Sequence, residues 1–157
     1  MNKTLLAVVS VLLAGIGLST FAQTGDKQES ASAALSLTRE YIRKMEAGQL
    51  EALNGLFLPN GRSWVLENAS DEGSWEHYRD HHLAPELKES PDFKFTIEKE
   101  AEDRFGTTAI VRQVGRFVVK VGDENRAYRA AVTYVVVDER GSPKIAHLHW
   151  ASRQDRK

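Results

Sequence analysis

Four long runs of β-forming residues fill the second half of this chain, separated only by tight-turn signals. They are "DFKFTIEKEAE" (92–102), "TTAIVRQVGRFVVKV" (107–121), "ENRAYRAAVTYVVVDE" (124–139) and "PKIAHLHWASR" (143–153). The connectors "RFG", "GDEN" and "RGSP" carry the residues of hairpin turns. Connections this short cannot hold the crossover that parallel neighbours need, so the runs must pair antiparallel. In the first run Phe93, Phe95 and Ile97 share one face, and Lys94, Thr96 and Glu98 the other. Gly115, inside the second run, marks a bend of the kind a curved sheet needs.

The preceding residues read differently. In "AALSLTREYIRKMEAG" Ala34, Leu37 or Thr38, Tyr41 and Met45 recur at helical spacing, with Arg39, Glu40, Arg43 and Lys44 opposite. Gly48 suits the stop. "QLEALNGLF" predicts a second, short helix, broken by Pro59, Asn60 and Gly61. "RSWVLEN" predicts a strand and "ASDEG" a loop. Ser74 then caps a helix over 75–83, which Pro85 ends or bends. Helices placed ahead of an antiparallel meander define an α+β domain.

The chain begins with a basic "MNK", then an apolar "TLLAVVSVLLAGIGL", then "STFAQ" with small residues at Thr20 and Ala22. This is the pattern of a signal peptide over 1–22 cleaved after Ala22, which predicts a periplasmic or secreted protein; the alternative is an uncleaved anchor. With no cysteine there is no lipobox, no disulfide and no Cys-ligated zinc. Residues 23–32 form a polar flexible leader, 33–153 the domain and 154–157 a tail. A formal net charge of −1, with acids interleaving the bases, supplies no drive toward nucleic acid or, once the signal is removed, toward membrane.

"REYIRKMEAGQLEALNGLFLPNGRSWVLE" resembles the opening of nuclear transport factor 2-like domains, a superfamily that includes ketosteroid isomerases and polyketide cyclase-like proteins. "KIAHLHWASR" resembles the closing strand of many of its uncharacterised bacterial members. The resemblance covers about residues 33–153. It implies a cone-shaped roll: a curved antiparallel sheet wrapped over about three N-terminal helices, enclosing a pocket and dimerising through its outer sheet face. Such a scaffold carries catalysts, binders and assembly modules alike.

Three readings of the site stay open. The first is a pocket for an unknown small molecule with no resident cofactor, lined by Trp64, Trp75, Tyr78, His82, His149 and Trp150. Arg112, Arg116, Tyr128 and Tyr134 are further candidates, the two arginines also fitting a solvated face. The second is an isomerase, cyclase or dehydratase, which needs a carboxylate base and donors for the developing oxyanion. The resemblance matches Tyr41 to an oxyanion tyrosine and Glu67 to the carboxylate, with His82, His149 or Asp80 as further acid–base groups. No acid matches the second oxyanion donor near Thr133. In the alternative, Tyr41 belongs to the core stripe and Glu67 to a loop.

The third reading is metal binding. His77 and His81 stand at i and i+4 on one helix face, and His147 and His149 at i and i+2 on one side of the last strand. Brought together, they would suit zinc or copper. The HExxH zinc-protease pattern fails because Tyr78 follows His77. Helical spacing instead puts Trp75, Tyr78 and His82 on the stripe facing the domain, which makes His82 the pocket histidine and His149 its opposite number. A sheet face carrying Val118, Val132 and Val136 would be too apolar to leave bare, which predicts a homodimer.

Overall fold

The computed structural model describes residues 32–121 and 124–155; the expected signal peptide over 1–22 and residues 23–31 of the expected leader lie outside them. Ser32 caps the first helix, its hydroxyl accepting a 3.1 Å hydrogen bond from the Leu35 amide. Helix α1 (Ala33–Glu46) buries the predicted stripe of Ala34, Thr38, Tyr41 and Met45, with Ile42 beside them. Gly48 follows at φ 65°, where glycine adopts a left-handed turn without penalty. Helix α2 (Leu50–Leu53) continues as a tight turn over Asn54–Leu56.

Strand β1 (Trp64–Glu67) pairs with β2 (Ser70–Ser74), which replaces the expected "ASDEG" loop. Asn68, at φ 51°, makes the turn between them. Asn tolerates that conformation better than most residues, and this turn signal allows a strand despite the polar composition. Ser74 caps α3 (Trp75–Tyr78) through a 3.3 Å bond from the His77 amide. The helix does not end at Leu83. It widens into a π-turn over Arg79–Leu83, where the Ala84 amide bonds back to the Arg79 carbonyl, and runs on as α4 (Ala84–Glu89). Pro85 has no amide to donate and would crowd the carbonyl one α-turn behind; the wider turn absorbs that conflict, so the proline is carried inside the helix.

The remaining strands are β3 (Phe95–Phe105), β4 (Thr108–Val121), β5 (Glu124–Glu139) and β6 (Ser142–Gln154). They form the predicted antiparallel meander, and the whole sheet has the order β2-β1-β6-β5-β4-β3. Its one departure from antiparallel pairing is β1, which lies parallel to β6. Arg140 (φ 55°) and Gly141 (φ 83°) form the two-residue turn between β5 and β6, matching the I′ geometry that suits strand twist. Register shifts at Ile97/Lys99 and Val135/Val136 help curve the sheet into an open cone. Gly115 sits opposite the first shift, and a Cβ there would fall 2.3 Å from the Thr96 carbonyl oxygen.

The concave face holds the core: Ala109, Val111 and Gln113 from β4, Ala130, Val132, Tyr134 and Val136 from β5, and Ile145, Leu148 and Trp150 from β6. Val132 and Val136 thus point inward, contrary to expectation. A one-residue error in phase turns every side chain of a strand to the other face. At the closed end Phe57 stacks on Trp75 with centroids 3.8 Å apart, and Tyr41 meets both rings and Tyr134 edge-on. The Trp75 indole donates to Asn54 Oδ1 at 3.0 Å, which satisfies its one polar atom.

Candidate functional site

The open end of the cone holds a cavity of about 340 Å³. Phe117 and Tyr128 of the sheet, with Trp150 of β6 and Phe93 ahead of β3, supply aromatic walls. Met45, Leu83 and Leu87 line the helical side, and the polar lining residues include Glu67, Asn68, Glu86, Glu89 and Lys120. Phe117 stacks on Tyr128 at 5.2 Å, and Phe93, Phe117 and Trp150 contact one another at 5.4–6.4 Å. The size and lining are those of a small-molecule pocket.

Glu67 is placed by strand pairing. It is the last residue of β1 and lies in register with Trp150, so it shares the concave face with that ring. The Tyr78 hydroxyl donates to Glu67 Oε2 at 2.8 Å, and His82 Nε2 lies 3.5 Å from the same oxygen. His82 also reaches Glu86 Oε1 from Nε2 at 3.1 Å and Glu72 Oε2 from Nδ1 at 3.2 Å. Tyr78, His82 and Glu86 are successive i, i+4 positions, so one line along the helix carries all three across the π-turn.

Burial raises the Glu67 pKa above the ordinary carboxylate value; Glu86 and Glu72 add to the rise, while the Tyr78 bond and His82 oppose it. Burial works against a charge on His82, but Glu67, Glu86 and Glu72 outweigh it and hold its pKa above that of a free imidazole. The Tyr78 hydroxyl is raised well above 10, mainly by burial. The result is a carboxylate able to take a proton beside a histidine able to keep one, at the edge of an apolar cavity.

Of the residues expected in the pocket, Tyr78, Trp150 and Tyr128 line it, and His82 stands beside Glu67. His149 does not face it. In β6 Leu148 and Trp150 turn inward, so His147 and His149 turn outward by strand alternation, and His149 Nε2 lies 3.1 Å from the Asn68 carbonyl oxygen. The pairing of His149 with Glu67 or His82 across a pocket is therefore excluded; the neighbour of His82 is Glu67. Trp64, in register with His147, is on the outer face and 47% exposed. Trp75 is 1% exposed and belongs to the closed end.

Tyr41 is fully buried among Phe57, Trp75 and Tyr134, its hydroxyl has no hydrogen-bond partner among the described residues, and it is absent from the cavity lining. Burial, then the charges of Glu67 and Glu86, raise its pKa strongly. Tyr134 is also core, bonding Gln113 at 3.1 Å. Arg112 and Arg116 are on the outer face in ion pairs with Asp103 and Glu98, and Asp80 pairs with Arg79 at the surface. The four histidines proposed as metal ligands do not converge. His77 and His81 are exposed neighbours on the helix, with rings 4.6 Å apart, while His147 and His149 are on the outer sheet face. Among the described residues the grouping with ligand-like spacing is Glu67, His82 and Glu86.

Glu86 and Glu72 escaped the sequence reading. Glu86 stands four residues after His82, a legible spacing, but it falls beyond the helix expected over 75–83, which Pro85 was to end or bend. Glu72 fell in the supposed loop. Phe93 and Phe117 were visible only as members of strands.

No family model and no curated protein matches the sequence. Solved structures do match. A nuclear transport factor 2-like superfamily protein from Salmonella enterica serovar Typhimurium is 11% identical and superposes with a TM-score of 0.66 over 78% of this chain and 88% of that one. A protein provisionally named a ketosteroid isomerase, from Shewanella frigidimarina, is 20% identical at TM-score 0.65 over 76% and 94%. One provisionally named a scytalone dehydratase, from Novosphingobium aromaticivorans, is 16% identical at TM-score 0.64 over 77% and 80%. At these identities the likeness establishes the fold.

Proposed function

From the nuclear transport factor 2-like fold as premise, we propose that this is an exported protein that binds a small, largely apolar molecule in the open end of its cone. The observation that carries the reading is the cavity itself: about 340 Å³, walled by Phe93, Phe117, Tyr128 and Trp150, with Glu67, Asn68 and Glu86 among its polar lining groups. Aromatic walls supply affinity through burial, and the polar groups fix orientation. Native mass spectrometry of gently purified protein tests it: a retained small molecule, lost on Trp150→Ala, is the expected result. Protein that carries nothing, and whose tryptophan fluorescence responds to no small aromatic probe, would overturn the reading.

A second reading rests on a different observation: Glu67 faces the cavity with Tyr78 at 2.8 Å and His82 Nε2 at 3.5 Å. This supports acid–base chemistry of the isomerase or dehydratase type, the activities for which two of the similar structures are named. In an isomerisation, Glu67 would take a proton from the carbon next to a carbonyl. The bonding pair would be held on the carbonyl oxygen, and Glu67 would return the proton to another carbon. Assays of double-bond migration in unsaturated ketones, on the natural chain and on Glu67→Gln, test it. Equal rates for the two proteins would remove Glu67 as the base.

A further inference from the structure

We infer that the molecule this pocket takes is an organic cation, an amine or quaternary ammonium on a small apolar body. The inference rests on reading the cavity as a ligand site and adds the ligand's charge. Elsewhere in the described chain several carboxylates meet arginines: Glu40 with Arg43, Glu98 with Arg116 and Arg129, Asp103 with Arg112, Glu139 with Arg62. At the pocket the pairing is different. Among the described residues, the ion pairs of Glu67, Glu72 and Glu86 all go to His82 and none goes to a lysine or arginine. Three carboxylates share one imidazole, so with all three ionised even a protonated His82 leaves two negative charges in excess.

Two of those carboxylates, Glu67 and Glu86, line the cavity, with Glu89 near them. The Glu67 side chain is only 13% exposed, so water screens it poorly. An anionic ligand would be repelled, and a neutral one would leave the excess in place. A cation relieves it.

The walls point the same way. Phe93, Phe117, Tyr128 and Trp150 line the same cavity as these carboxylates, and the negative face of an aromatic ring attracts an ammonium group. A metal ion would use the carboxylates and His82 but none of the rings. The one basic residue among the described lining residues, Lys120, is exposed, and its long stem lets the ammonium stay in water.

The test is titration calorimetry of the purified protein with four probes in one buffer: benzyltrimethylammonium, benzyl alcohol, benzoate and zinc chloride. Benzyltrimethylammonium is expected to bind roughly tenfold or more tighter than benzyl alcohol, and benzoate weakest of the three organic probes. Glu67→Gln and the more exposed Glu86→Gln are each expected to erase most of that preference while keeping the circular dichroism of the natural chain. Benzyl alcohol or benzoate binding as tightly as the cation would overturn the inference and leave the pocket reading standing. Zinc binding that is lost in Glu86→Gln, without binding of any organic probe, would overturn both in favour of a metal site. No binding of any of the four would also overturn both.

Discussion

The Tyr78 hydroxyl donates a 2.8 Å hydrogen bond to the Glu67 carboxylate, joining the helix above the cavity to the last residue of the first strand. Tyr78→Phe keeps the ring and removes that bond. Losing a buried bond to a charged acceptor costs about 1.5–3 kcal/mol. Because the bond lowers the Glu67 pKa against the rise from burial, its loss should also move the Glu67 titration upward. Urea denaturation and NMR titration of the carboxyl carbon check the two effects; an unmoved Glu67 would contradict the geometry.

The same cluster sets a pH dependence. Glu67 and His82 both hold protons more firmly folded than unfolded. The folded state therefore binds more protons, and stability falls as pH rises. The His82 contribution is fully present below its unfolded pKa of about 6.5 and disappears as pH passes its higher folded value. Thermal melts between about pH 6 and 9 should show a steeper loss for the natural chain than for His82→Gln. Parallel slopes would mean that these carboxylates do not act on His82.

Gly115→Ala tests the bend in the sheet. The added Cβ would lie 2.3 Å from the Thr96 carbonyl oxygen and 2.7 Å from the Phe95 ring. One of these is backbone, so the strands must separate. A loss of about 1–3 kcal/mol is expected from overpacking, measured by denaturant unfolding. A neutral result would show that the β3–β4 pair opens without cost.

The outer sheet face still presents an apolar strip after the inward turn of Val132 and Val136. Val114 and Val135 are half-buried there, and Val118 is 51% exposed. Two copies facing across this strip are the expected assembly, in the common isologous form. Sedimentation at micromolar concentration should give a dimer for the natural chain and a monomer for Val114→Glu. A monomeric natural chain would contradict the expectation.

Much of the fold was legible because it is written in short-range signals. Alternation and tight turns announce four strands, and a helical stripe ending in glycine announces α1. What the sequence hid were the phase of β5, the strand β2 and the passage of the helix through Pro85. Each depends on a contact distant in sequence or on an unusual turn. Ser70–Ser74 is polar and becomes a strand only because β1 lies beside it. The site was half legible for the same reason. Helical spacing selected Tyr78 and His82, whereas strand alternation alone could not say whether Trp150 or its neighbour His149 looked inward. That choice is made when β1 joins β6 and sets Glu67 beside Trp150.

The π-turn over Arg79–Leu83 sets the rotational phase of everything after it. An α-helix advances about 100° per residue, so one more residue inserted just beyond this turn, with the wide turn already formed, would swing Glu86 and Leu87 away from the cavity and bring other side chains round. The six strands of the sheet lie outside this segment. The helical share of the chemistry at the mouth of the cone is thus geared separately from the sheet that carries Glu67 and Trp150. A single insertion or deletion can re-index one without rebuilding the other, and a scaffold arranged in this way can change what it holds while remaining the same fold.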